Sequence, residues 1–299
     1  TYTMQIIMSF LMISLVSVML PRALVSLKRI REILKKDISI VEPSNPVAFK
    51  ESEKGVIEFK NVSFKYPDAD EAMLKNVSFK ATPGTTTAFI GSTGSGKSTL
   101  INLIPRFFDA TSGEIYVDGV NIKEASVIEL RNRIGYVPQK GMLFSGTIKS
   151  NLMLGNDDLT EEEMQTAAKV SQSLEFINAK KDKFDSAISQ GGANVSGGQK
   201  QRLSIARAIA KNPEIYIFDD SFSALDFKTD AALRKALFKH AKDATVLIVA
   251  QRISTIMNAD NIIVLNEGEV VGSGTHKELL KNCKIYKEIA LSQLKEEEL

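Results

Sequence analysis

Residues Gly91-Ser92-Thr93-Gly94-Ser95-Gly96-Lys97-Ser98-Thr99 spell G-x-x-x-x-G-K-[ST] in full. No other stretch limits the fold as tightly, because this pattern works only between a buried strand and a helix. Both flanks suit it. Thr85 to Ile90 is a β-branched, apolar run that reads as a strand, and Thr99 to Phe108 reads as a helix. Glycines let the backbone turn so that successive N–H groups face one anion, and the helix N-terminus adds its dipole there. Lys97 then reaches β- and γ-phosphates, and the Ser98 hydroxyl suits Mg²⁺. The loop is therefore expected to hold a nucleoside triphosphate with Mg²⁺.

Two further segments extend this. Ile215-Tyr216-Ile217-Phe218-Asp219 is an apolar run ending in a carboxylate. A carboxylate at the end of a neighbouring parallel strand can complete a Mg²⁺ shell. Loop and aspartate together admit kinases, GTPases, motors and transport ATPases alike. Val195-Ser196-Gly197-Gly198-Gln199-Lys200-Gln201-Arg202 narrows the choice. Ser196, Gly197, Gly198 and Gln199 before a basic helix make a second anion-binding helix start, though the same residues also fit a plain turn. A second such site in one chain suggests that it serves a nucleotide held by another chain.

Thr1 to Leu20 carries no charged side chain and is rich in Ile, Leu, Met, Val and Phe. About 20 apolar residues span a bilayer as a helix; a buried helix of a soluble protein also fits. The run begins without Met and lacks the basic start and small-residue cleavage site of a signal peptide, so the chain reads as a piece of a longer polypeptide. Arg22, Lys28, Arg29, Arg31, Lys35 and Lys36 follow the span, which favours the cytoplasmic side of a cell membrane for the rest. The formal charge is +2, from 38 basic and 36 acidic side chains, so nothing calls for a nucleic acid partner. The one cysteine, Cys283, excludes an internal disulfide and multi-cysteine zinc sites, and reads as an inert thiol.

The expected organisation is a membrane helix end and its cytoplasmic extension at 1–36, a linker at 37–55 containing Pro43 and Pro46, and one domain at 56–299. Val56–Phe59 and Asn61–Phe64 read as two short strands, and Val77–Phe79 as another. Leu159 to Ala179 reads as helical, opened by a Thr160/Glu163 capping box. Ile215–Phe218 and Thr245–Val249 read as buried parallel strands, and Ile262–Leu265 and Glu269–Val271 as a hairpin. Thr275 to Glu278 is another capping box, with His276 taken as surface structure. The fold class is α/β: a P-loop NTPase core with an antiparallel β subdomain and a helical insertion, preceded by a transmembrane helix end.

With these residues in place, Val56 to Ala290 closely resembles the ATPase domain of the ABC transporter family, and the N-terminal span looks like the end of an exporter's last transmembrane helix. The resemblance implies ATP and Mg²⁺ as ligands and Ser98, Gln139 and Asp219 as metal-side residues. Val195 to Gln199 resembles the family signature, with Val for the usual Leu. Gln139 resembles the glutamine that couples the Mg²⁺ site to the membrane domain; after Pro138 it also fits an ordinary loop. Tyr66 resembles the aromatic that stacks on adenine; before Pro67 it equally fits a hairpin end. Ser223-Ala224-Leu225-Asp226 resembles the loop that crosses the dimer interface, or simply caps the next helix. The family implies a head-to-tail dimer in which each phosphate loop meets the other chain's signature.

Two positions depart from the family. Asp220 stands where active members carry the Glu that polarises the attacking water, so its carboxylate sits on the order of 1 Å back. Gln251 stands at the switch histidine and cannot carry a positive charge. Gln190 to Asn194 also lacks the acidic residue usual before the signature. The expectation is a weakly hydrolysing ATPase, the degenerate-site half of a heterodimeric exporter, with its own transmembrane domain, a second half-transporter and the lipid bilayer as partners. An active homodimer, and a soluble ABC ATPase outside transport, are the alternatives.

Overall fold

The computed structural model describes residues 1–67 and 69–294; the end of the domain expected at 56–299 lies outside them. The chain divides into two units, Thr1–Val41 and a second beginning at Glu42. The first is essentially one helix, Tyr2–Leu34, with Pro21 inside it and no buried residue. It is long and apolar enough to cross a membrane.

The second unit is built on three sheets. An antiparallel one runs β2-β1-β4-β5, with β1 Ile57–Phe64, β2 Leu74–Ala81, β4 Ser112–Val117 and β5 Val120–Asn121. The main sheet runs β12-β11-β3-β10-β9-β6, with β3 Thr86–Gly91, β6 Ile134–Val137, β9 Ile215–Asp219, β10 Thr245–Val249, β11 Asn261–Asn266 and β12 Glu269–Gly274. Its inner neighbours pair in parallel, and β12 closes the edge antiparallel to β11. A two-stranded ribbon joins β7 Gly146–Thr147 to β8 Ala187–Ile188.

The apolar runs of the main sheet follow from burial on both faces. Alternate residues enter different cores. Ala88, Ile90, Tyr216, Phe218, Val246, Ile248, Ile262 and Val264 pack with the helices Glu161–Val170, Gly197–Ala210 and Phe227–His240. Phe89, Ile215, Ile217, Leu247, Val249, Ile263 and Leu265 pack with the antiparallel sheet and the Lys97–Leu103 helix. Both faces being covered, only strand ends and the loops that leave them remain for chemistry.

Several elements differ from expectation. The two strands expected at 56–64 are one strand with a bulge: Asn61 sits at φ 50 and its N–H donates to Ser78 Oγ, shifting the register between Phe59 and Val62. The helix after the phosphate loop is Lys97–Leu103, not Thr99–Phe108. Pro105 has no N–H to donate to the Ile101 carbonyl, so the helical ladder ends there, and Arg106 turns to φ 52. The 159–179 stretch is two helices, Glu161–Val170 and Leu174–Asn178. Gln172 adopts φ 58, and the Ser171 and Ser173 hydroxyls take the Ala168 carbonyl. The expected hairpin turn is present, with Glu267 at φ 48 and Gly268 at φ 84 matching the twist of a tight two-residue turn. His276 is not a surface residue. It is 8% exposed, and its Nδ1 lies 2.7 Å from the buried Tyr286 hydroxyl.

The stretch before β1 is held by the domain. The Glu42 carboxylate accepts the Val127 N–H at the start of the Val127–Asn132 helix. Arg133, just after that helix, joins Asp118 Oδ2 and Glu214 at 2.9 Å each, and its guanidinium stacks 4.6 Å over the Phe49 ring. The fully buried Asp118 carboxylate also accepts the Gly55 N–H at 2.7 Å. Burial pushes this carboxyl up to about 6, against the pull of the Gly55 N–H and the Arg133 charge.

Replacing Arg133 by alanine leaves that carboxylate without its counter-charge and should cost about 3 kcal/mol in denaturant unfolding; Lys242→Ala, at an exposed site, should change little. Asp118 binds its proton more tightly folded than unfolded. The stability of the native chain relative to Asp118→Asn should therefore fall as pH rises from 3.8 to about 6, measured by thermal melts across that range.

Candidate functional site

The carboxyl ends of four adjacent parallel strands converge on one cleft. β3 runs into the Gly91–Thr99 loop, β9 ends at Asp219, β10 is followed by Ala250 and Gln251, and β6 is followed by Pro138 and Gln139. Ligands of such sheets bind at this end, where connecting loops part. The cleft encloses about 270 Å³ and is lined by Lys97, Ser98, Gln139, Asp219, Asp220 and Gln251, together with Thr93, Gly94 and Gly96.

The loop is a tight cradle. A side chain at Gly91 would lie 2.0 Å from the Leu265 carbonyl oxygen of the neighbouring strand, so the backbone approach demands glycine. Gly96 holds φ 96 at the cap of the Lys97–Leu103 helix. Lys97 Nζ donates to the carbonyls of Gly91 at 3.0 Å and Ser92 at 2.7 Å, and reaches Ser95 Oγ at 3.3 Å. Burial lowers its ammonium from the usual lysine range, opposed by the charges of Asp220 and Asp219. Ser98 Oγ donates to Asp219 Oδ1 at 2.9 Å, so hydroxyl and carboxylate already share one spot. Burial raises the Asp219 carboxyl; the Ser98 bond opposes this and Asp220 adds to it. Hard oxygen donors side by side next to a helix N-terminus fit Mg²⁺ on a phosphate.

Asp220 sits at φ 45, its N–H donating to the Val249 carbonyl of β10. Its Oδ2 accepts Gln139 Nε2 at 3.1 Å and Gln251 Nε2 at 2.9 Å. One carboxylate oxygen thus ties together the strands that carry all three candidate catalytic residues. Tyr66 does not line the cleft, but its hydroxyl lies 3.0 Å from Thr99 Oγ1, and its ring meets Phe64 and Phe108 edge-on. This places a half-buried aromatic beside the loop's last residue.

The structure does not bring Ser196 to Gln199 to the cleft; none of them lines it. Ser196 caps the exposed start of the Gly197–Ala210 helix, its Oγ accepting the Gln199 N–H while Gln199 Oε1 accepts the Ser196 N–H. Asp226 caps the Phe227–His240 helix, and Ser223 Oγ donates to the Asp220 carbonyl. Two further residues contribute. Met73 lines the cleft from the turn before β2, and Gln293, near the C-terminus, bonds the backbone of Gln251. Neither belongs to a pattern; only the folded chain shows them.

The sequence profile of the ABC transporter family matches residues 74–223. An uncharacterised ABC transporter ATP-binding protein of Mycobacterium bovis is 45% identical over 296 residues, 98% of this chain and 50% of that protein. A Staphylococcus aureus protein, provisionally named a multidrug export ATP-binding/permease protein, is 46% identical over 239 residues, 80% of this chain and 41% of that one. A solved bacterial Atm1-family ABC exporter with ATP bound superposes with TM-score 0.85 at 33% identity, over 92% of this chain and 48% of that one. The chain spans about half the length of the relatives it matches. The matched stretch supplies most of the cleft just described, and on that agreement the chain belongs to the ABC transporter family.

Proposed function

We propose that this chain binds MgATP at Gly91–Thr99 and forms the ATP-binding part of an ABC exporter, serving as its degenerate-site half beside a second, different half-transporter. The Tyr2–Leu34 helix would then belong to a transmembrane domain in the lipid bilayer of the cell membrane, with the second unit on the cytoplasmic side. The names of the Staphylococcus relative and the Atm1-family structure support export; neither names what this chain's transporter carries.

The observation that carries the degenerate reading is the Asp220 carboxylate. Cleaving the terminal phosphate needs a group that takes a proton from the attacking water. Oδ2 of Asp220 already accepts two amide N–H bonds, and the side chain is one methylene shorter than glutamate. Lys97 and the loop's N–H groups would hold the phosphates, Tyr66 would meet the adenine, and Ser98, Gln139 and Asp219 would hold the metal side. Mg²⁺ there would neutralise charge on the β- and γ-oxygens. Gln251 donates hydrogen bonds but supplies no positive charge to the γ-phosphate during its transfer to water. Binding is thus provided for and turnover is slowed. The Ser196–Gln199 helix start, which does not line this cleft, would complete the partner's ATP site.

Lys97→Ala should weaken ATP binding about 100-fold in a fluorescent-nucleotide titration, since charge-assisted bonds to phosphate are lost. The unaltered chain should release phosphate slowly, and Asp220→Glu with Gln251→His should raise that rate on the order of 10- to 100-fold. Robust hydrolysis by the unaltered chain without a partner would overturn the heterodimer reading in favour of an active homodimer. With a competent partner present, Ser196→Ala should leave this chain's own ATP affinity within about twofold and slow hydrolysis at the partner's site.

A further inference from the structure

The segment after β10, Ala250 to Ile256, carries Gln251 and is gripped from two directions. From one side the Arg234 guanidinium, paired with Asp230, donates to the carbonyls of Ser254 at 3.1 Å and Thr255 at 3.0 Å. From the other comes Gln293. Its Oε1 accepts the Ile253 N–H at 2.9 Å, and its Nε2 donates to the Gln251 carbonyl at 2.8 Å. One side-chain amide thus spans a donor and an acceptor two residues apart on a loop some forty residues away in sequence, as a peptide group of a neighbouring strand would. The grip has a firm base. The Lys284–Leu291 helix, which Gln293 follows, is pinned by fully buried Tyr286 and Ala290, with the Tyr286 hydroxyl on His276, and Leu294 packs on the same core.

The geometry points to Gln293 as a positioning residue for the nucleotide site: the C-terminal turn clamps the backbone of Gln251 so that its side-chain amide stays on Asp220 at the cleft. The inference rests on the reading of that cleft as an ATP site. Gln293 touches neither Asp220 nor the phosphate loop; it acts through where Gln251 is held. The chain's C-terminal turn is in this way a control point for how long nucleotide stays bound, and anything that pulled residues 292–294 off their base would release the switch segment.

The test uses the full chain and a fluorescent ATP analogue with Mg²⁺, chased with excess ATP, for Gln293→Ala, Gln293→Glu, Gln251→Ala and the Gln251→Ala/Gln293→Ala pair. Removing two neutral hydrogen bonds should speed nucleotide release about five- to tenfold in Gln293→Ala. Gln293→Glu, which keeps the reach but cannot donate to the Gln251 carbonyl, should also release faster than wild type. In the Gln251→Ala background, adding Gln293→Ala should change release by less than about twofold, because the clamp then has no amide to position. A wild-type release rate in Gln293→Ala, or the same acceleration in both backgrounds, would overturn the clamp. If the unaltered chain binds no ATP, the cleft reading fails instead. Hydrogen exchange then decides the clamp on its own: amides of residues 250–256 other than Ile253 should exchange faster in Gln293→Ala while those of β11 do not, and an unchanged segment would overturn it.

Discussion

Covering both faces of the parallel sheet is the constraint on which the rest depends. Alternate side chains of β3, β9, β10 and β11 enter two separate cores, so no residue in mid-strand is free to meet a ligand. Polar chemistry is pushed to the carboxyl ends, where the strands give way to loops. There the spacing of neighbouring strands sets the reach between Lys97, Asp219, Asp220, Gln139 and Gln251. The Ser98–Asp219 and Asp220–glutamine bonds are therefore a product of the sheet's strand order as much as of the residues themselves.

The site's grouping follows a division of roles. Side chains from four strand ends meet in one cleft, while the Ser196 turn stays outside it with its hydrogen bonds closed on themselves. A helix start that is capped, exposed and basic in its continuation is complete locally, and its dipole still favours an anion.

How much of this was legible depends on how local each signal is. The Gly91–Thr99 loop was readable because every position has a steric or charge requirement that few residues meet; the Gly91 approach to Leu265 is one such requirement made visible. Capping boxes at Thr160 and Thr275 formed as expected because both partners lie three residues apart. What failed was non-local or hinged on one residue. The helix after the loop stops early at Pro105, Ser171 and Ser173 split the insertion, and His276 is buried by a tyrosine ten residues on. Asp220 and Gln251 stood out only as substitutions against a family pattern. That they share an oxygen with Gln139 needed the fold, and Gln293 carried no signal at all.

The Arg133 cluster has a mechanical side. The chain enters the second unit through Glu42, anchored on the first turn of the Val127–Asn132 helix, and passes Phe49 and Gly55, both fastened to groups that Arg133 gathers. A pull on the backbone at Glu42 would therefore reach Arg133 at the foot of β6 and Glu214 at the foot of β9, the strands whose far ends present Gln139 and Asp219. The two strands would be loaded in parallel, as two strings hung from one peg.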